Sequence, residues 1–405
     1  MNKNKYLKKL FENNNSFFLI DEGRLLTNLN DFLNSFKKEW PGKIIIGYSF
    51  KTNYTPYLCK KLLDHGCYAE VVSEMELELA KKLLKTKNNI IFNGPIKTKK
   101  SLKYLLKIGG VINIDSLEEW DIIKKFPKIS EQTRISIRCN FNDHISKFGS
   151  FSRFGIDTSS REFDFLLNEI KQHKNLSLYG LHFHLPFRSF ESFNYRSNKI
   201  IDLIEKKDLK NIIKNINIGG GFYSKTVPSS TKKTDFSEYS KILYNNFSKI
   251  YKDKYPSLSL EPGTAIVADS MFYFSKVYNL KKINNLNLAH VYGSIYDYSG
   301  NSKSKTLPIE VLDKNGNKVN KISQLKTVIC GYTCIEDDRL SENVNFQVCK
   351  GDFIKISNVG SYSIVMKPPF ISPAPSIFLY SKNDIIQVKK QENFKYIFDN
   401  FLFNL

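Results

Sequence analysis

Four groups of residues in this chain carry chemistry that could be combined. Lys51 ends an apolar run in Tyr48-Ser-Phe-Lys51-Thr-Asn53. A lysine that ends a barrel strand sits at the C-terminal mouth, where barrel sites are built. Partial burial lowers an amine's pKa and frees it to condense with a carbonyl. Taken alone, such a lysine more often snorkels its ammonium to water. Asn217-Ile-Gly-Gly-Gly-Phe222 puts Gly219, Gly220 and Gly221 straight after another apolar run. Their N–H groups can close on an anion, with phosphate the usual guest. The spacing is neither a dinucleotide fingerprint nor a Walker loop. Glu261 opens Glu-Pro-Gly263 after a third short run. A carboxylate there can hold a protonated ring nitrogen or pair with a lysine. His182 and His184 alternate within Leu181–Leu185, which places them on one face of a strand. No third ligand stands at metal spacing, so no metal is expected.

Elements must bring these groups together. Lys43–Ser49, Cys67–Val72, Asn89–Phe92, Gly110–Ile114, Thr133–Cys139, Ser177–His184, Asn215–Ile218 and Leu258–Leu260 read as buried strands. Helical spacing falls between them at Thr55–His65, Met75–Leu84, Ser101–Lys107, Leu117–Lys125, Arg161–His173 and Phe190–Glu205. Apolar strands alternating with helices imply a parallel sheet. About eight such units in some 240 residues suit a closed (β/α)8 barrel. From about residue 265 the rhythm changes to strands without helices: Ala265–Val267, Met271–Leu280, Leu288–Ser294, Thr327–Ile329, Asp352–Ile356 and Ser376–Tyr380. This reads as a C-terminal antiparallel β domain that Ser16–Ile20 joins. The expected division is a barrel over 23–264 and a β domain from 1–22 and 265–405. Lys225–Asp235, rich in Pro, Ser and Thr, reads as a loop on the barrel's rim.

Composition narrows the class. At 405 residues, 41% hydrophobic and 25% charged, the chain is an ordinary globular protein of two or three domains. No apolar run is long enough for a membrane span or a secretory signal, so a cytoplasmic protein is expected. Cys59, Cys67, Cys139, Cys330, Cys334 and Cys349 are scattered, as reduced thiols would be. The net charge of +21 comes from lysines spread through the whole chain. Without a basic block, neither a nucleic acid nor a membrane is the expected partner, and a preference for anionic small molecules is left open.

The amine, the flat imidazole, the glycine nest and the carboxylate together suit pyridoxal phosphate. The chain also resembles the fold-type III pyridoxal-phosphate decarboxylases, the diaminopimelate and ornithine/arginine enzymes among them. Tyr48-Ser-Phe-Lys51-Thr-Asn53 is similar to the family's Tyr-Ala-Val-Lys-Ala-Asn. Glu70-Val-Val-Ser73-Glu-Met-Glu76, Ser152-Arg-Phe-Gly155, Gly180-Leu-His-Phe-His184, Ile218-Gly-Gly-Gly-Phe222 and Glu261-Pro-Gly263 follow in family order. Gly331-Tyr-Thr-Cys334 with Asp338, Gly351-Asp352 and Gly360-Ser-Tyr362 complete the series. The resemblance implies an alanine-racemase-like barrel with a β domain, and a homodimer in which Cys334 enters the partner's site. It implies Lys51 as the cofactor's lysine and Cys334 as the acid that protonates Cα after CO2 leaves. His184 would stack on the ring, Glu261 would face its nitrogen, and Gly219–Gly221 with Tyr362 would hold the phosphate. Glu70 and Arg138 would support the cofactor from inside the barrel.

Three departures bear on the substrate. The acid that follows the motif cysteine in diaminopimelate and ornithine enzymes is Ile335 here, and a second acid of ornithine-type enzymes is Ala289. A substrate ammonium would lose both partners, unless Glu336, Asp337 or Asp338 replaces them. Leu185-Pro-Phe187-Arg188 replaces the Gly-Ser after the histidine motif, and Thr264 replaces an arginine. Arg188 or Arg196 could restore that charge or bind a substrate carboxylate. The expected activity is decarboxylation of an amino acid with a non-basic or acylated tail. Plain diaminopimelate decarboxylation and amino-acid racemisation are the alternatives.

Overall fold

Eight short strands run parallel and close on themselves: Ile44–Ser49, Tyr68–Val71, Ile90–Phe92, Val111–Ile114, Arg134–Asn140, Leu178–His182, Asn215–Asn217 and Ser257–Leu260. Each pairs with the next, and the eighth pairs with the first through Leu258 and Ile44. The computed structural model describes residues 3–126, 133–141, 151–226, 234–299, 307–367, 369–382 and 384–403. The chain divides into a barrel unit, residues 29–223 and 235–265, and a β unit, residues 1–28, 224–234 and 266–405. Of the expected rim loop Lys225–Asp235, residues 227–233 lie outside the described residues.

The barrel strands carry buried polar residues at every second position, such as Ser136 and Arg138, or Asn215 and Asn217. Period two keeps such residues on one face of a strand. Several helices between the strands start where a side chain satisfies a free N–H. Ser73, Thr98, Ser160 and Ser189 each accept from the backbone three residues on. A cap of this kind is worth about 1 kcal/mol. Helices at Glu22–Glu39, Phe236–Phe247 and Lys3–Asn13 were not anticipated. The first carries Leu25, Leu29, Phe32 and Phe36 on one buried stripe.

Among the described residues, the β unit is a nine-stranded, mostly antiparallel sheet. Ser16–Asp21 lies inside it, antiparallel to Met271–Ile283 and parallel to Ser376–Ser381. Leu286–Val291 and Ile322–Cys330 form a second parallel pair. Its core stacks Phe17 on Phe274 at 4.9 Å and Phe11 on Phe353 at 3.8 Å. The expected strand Ala265–Val267 is instead a helical turn, Thr264–Val267. A three-residue apolar run has no period that separates strand from helix. Short helices also stand in this part of the chain, at Ile295–Tyr298 and Phe394–Phe398. Among the described residues no helix is long and apolar enough to cross a membrane.

Candidate active site

The first barrel strand ends at Ser49, and a 3-10 turn, Phe50–Thr52, carries Lys51 beyond it. The turn is clamped from the eighth strand's end. Ser49 N–H donates to Pro262 O at 3.4 Å, and Ser49 Oγ to Glu261 O at 3.3 Å. Gly263 lies against Thr52, where a Cβ would sit 2.0 Å from Thr52 Oγ1. Lys51 Nζ lies 2.9 Å from Glu70 Oε2 and 3.2 Å from Glu70 Oε1. The Glu70 carboxylate is fully buried, whereas the Lys51 side chain keeps 39% of its surface open.

Glu261 sits at the centre of a polar cluster. Asn93 and Asn217 each donate to its Oε1 at 2.7 Å, and His182 Nε2 stands 3.5 Å from its Oε2. Burial by itself would raise the pKa of Glu261, but His182, Lys51 and Asn93 outweigh it and hold the carboxyl well below its usual range. Arg138 Nη1 reaches Asn93 O at 3.0 Å and Asp115 Oδ1 at 3.1 Å.

The glycine turn closes the other side of the mouth. Gly219 has φ +71° and Gly221 φ +90°. A Cβ on Gly219 would lie 2.7 Å from His184 Cβ, and one on Gly220 would lie 2.6 Å from Glu261 O. Two of the three N–H groups already have acceptors. Gly219 donates to Asn217 Oδ1 at 2.8 Å and Gly220 to His184 Nδ1 at 3.2 Å. Gly221 N–H has no acceptor among the described residues. The sixth strand ends at His182, so His184 lies past it, half open at the mouth. Desolvation, aided by Arg196 and Lys51, pushes the His184 pKa well below 6.5. Its ring is therefore neutral, as an acceptor for Gly220 N–H must be.

Arg196 does not reach a substrate. It is fully buried and donates to Ile218 O at 2.8 Å and Gly220 O at 2.9 Å, its guanidinium 3.7 Å from the Phe193 ring centroid. It fixes the glycine turn from behind. Arg188 is the arginine nearer solvent, and its Nη2 lies 3.4 Å from Thr264 Oγ1. A cavity of about 260 Å³ adjoins His184, walled by Phe154, Leu185, Pro186 and Phe187 among others.

The β unit carries the remaining expected residues. Cys334, Ile335, Glu336 and Asp337 are exposed on one loop. Asp338 is not available to a substrate. It is buried, and its carboxylate accepts from Ser294 Oγ and Ile295 N–H at 2.9 Å and from Thr333 N–H and Oγ1 at 3.1 and 2.7 Å. It shapes the Cys334 loop instead. Tyr362 is 38% exposed with φ +59°.

Residues 26–268 match the family described as pyridoxal-dependent decarboxylase, pyridoxal binding domain. The chain belongs to this family. The enzyme is 26% identical over 400 residues to the diaminopimelate decarboxylase of Methanocaldococcus jannaschii, covering 93% of this chain and 89% of that one. It is 24% identical over 343 residues to the L-glutamyl-[BtrI acyl-carrier protein] decarboxylase of Niallia circulans, covering 79% and 78%. The crystal structure of the M. jannaschii enzyme superposes with a TM-score of 0.86 at 23% identity, covering 98% of this chain and 94% of that one. That likeness establishes the same fold.

The decarboxylase's own residues fit pyridoxal phosphate. A primary amine, a neutral imidazole, a buried carboxylate and a turn that excludes side chains line one mouth. Sequence reading passed over Asn93 and Asn217, whose amides organise the carboxylates. The signal available was an asparagine ending or following a short apolar strand. Gly219→Ala is expected to destabilise the decarboxylase by more than the left-handed backbone cost of about 1–2 kcal/mol. Gly66→Ala, at φ +89° with open space around it, measures that backbone cost alone. Urea denaturation of both variants checks this, and equal losses would remove the His184 contact as the cause.

Proposed function

We propose that this enzyme removes the α-carboxylate from an amino acid whose tail does not end in an ammonium. The observation that carries it is the Cys334 loop. Ile335 occupies the place after the cysteine, Ala289 is buried and apolar, and Asp338 has its oxygens committed to the loop. The apolar walls of the cavity beside His184 support the same reading. So does the relative that acts on a carrier-bound glutamyl group. Arg188 is the side chain offered to a tail carboxylate or to the cofactor's phosphate.

Pyridoxal phosphate, when bound, supplies a ring that takes up the electron pair left by the departing CO2. Lys51 would hold the cofactor through its amine. Glu261, held charged by its neighbours, would supply the negative charge that favours a protonated ring nitrogen. His184 offers a flat neutral face for stacking. Cys334 Sγ–H delivers the proton to Cα. The working unit is a homodimer, with Cys334 and Tyr362 of one copy serving the barrel of the other.

The test is CO2 release from the pyridoxal-phosphate-loaded enzyme over a panel of amino acids. Turnover confined to acid-tailed or acylated members is expected. Turnover of meso-diaminopimelate would overturn the proposal and assign the ammonium to Glu336 or Asp337; several relatives are named diaminopimelate decarboxylase.

A further inference from the structure

One buried amide touches both carboxylates of the mouth. Asn93 Nδ2 donates to Glu70 Oε1 at 2.9 Å and to Glu261 Oε1 at 2.7 Å. One amide hydrogen goes to each. Asn113 Nδ2 donates in turn to Asn93 Oδ1. Chemistry fixes this orientation, because the reversed amide would set its oxygen against two carboxylates. The main chain is held as firmly. Asn93 N–H donates to Val71 O at 3.0 Å, Arg138 Nη1 donates to Asn93 O, and Lys97 Nζ donates to Gly94 O at 2.7 Å. Gly94 has no room for a side chain, since a Cβ would lie 2.1 Å from Val72 O. Asn93 is only 4% exposed and follows the apolar strand Ile90–Phe92. A polar side chain in that place is costly unless all its bonds are made. Here they are made, and two of them end on ionisable groups.

We propose that Asn93 is a positioning residue that aligns Glu70 and Glu261 as one unit, so that the Lys51 amine and the Glu261 carboxylate are set together. Glu70 is the partner of Lys51, and Glu261 stands beside His182. A donor shared between two carboxylates fixes the position of each relative to the other. The other charged or titratable groups around the pair are the Arg138–Asp115 ion pair, Glu76, His184 and Arg196. Burial pushes Glu76 up to about 7. None of these bridges the two carboxylates as Asn93 does. The inference rests on Lys51 being the cofactor's lysine.

The experiment follows uptake of pyridoxal phosphate by the cofactor-free full chain, read by visible absorbance against pH. Asn93→Asp keeps the shape but sets a carboxyl oxygen against both carboxylates, so the three groups must share a proton. Its uptake midpoint is expected to move by about one pH unit from that of the wild type, a tenfold change at fixed pH. Asn93→Ser leaves one donor for two carboxylates and is expected to weaken cofactor binding about tenfold. If Asn93→Asp does not fold, Asn93→Ser decides. Variants that lose thermal stability but keep the wild-type midpoint and affinity would reduce Asn93 to a core residue and overturn the proposal. Lys51→Ala is run in parallel. Unchanged uptake in that variant would fault the lysine assignment rather than Asn93.

Discussion

Lys51→Ala is expected to give a folded, colourless protein with decarboxylase activity lower by about 10³-fold or more, at least ~4 kcal/mol in barrier height. Lys51 stands on a short turn and keeps part of its side chain open to the mouth. Its loss removes the amine proposed to join the cofactor. It leaves Glu70 buried, but Asn93 still donates to that carboxylate. The fold is therefore expected to survive. Borohydride reduction followed by mass spectrometry separates binding from chemistry. The wild type should gain the mass of the reduced cofactor on the peptide containing Lys51, and the variant should gain none. A variant that still fixes cofactor covalently would show that another lysine holds it.

Glu261→Gln is expected to lower turnover on the order of 10²–10³-fold while cofactor binding persists. The substitution is close to isosteric. The glutamine oxygen can still accept from Asn93 and Asn217, and its amide can face His182 Nε2. What disappears is the negative charge. The same variant alters stability with a definite sign. A carboxyl with a depressed folded pKa stabilises the fold above its unfolded value, near 4.5 here, and that contribution fades as pH falls. The glutamine variant should have a flatter acid limb in stability against pH. Unchanged turnover together with an unchanged acid limb would mean that the Glu261 charge serves neither purpose.

The sequence made the barrel legible because its period is local. Each buried strand is a short apolar run, and capping residues such as Ser73, Thr98 and Ser160 announce the helices between them. The helix Glu22–Glu39 had an equally clear stripe in Leu25, Leu29, Phe32 and Phe36, and could have been read. Arg196 also carried a signal, since it shares a helical stripe with Phe193 and Ile200. A guanidinium on a buried stripe belongs to the interior. Asp338 carried none. Its capture by Ser294, Ile295 and Thr333 depends on a turn that meets a second segment some forty residues away in the chain. The bridging role of Asn93 was equally hidden, because Glu70 and Glu261 come from strands far apart in sequence. Types and spacings thus named the lysine, histidine, glycine turn and glutamate. The hydrogen bonds that decide which neighbours stay available to ligand are non-local.

The strand Ser16–Asp21 has its own consequence for how the chain is made. It leaves the ribosome early, yet its partners Met271–Ile283 and Ser376–Ser381 follow only after the whole barrel. An edge of unpaired N–H and C=O groups, flanked by Phe17, Phe18, Leu19 and Ile20, must wait through that interval. Contacts of such long sequence separation form slowly. The pairing of Ser16–Asp21 can therefore be completed only once the residues of the barrel have all been made.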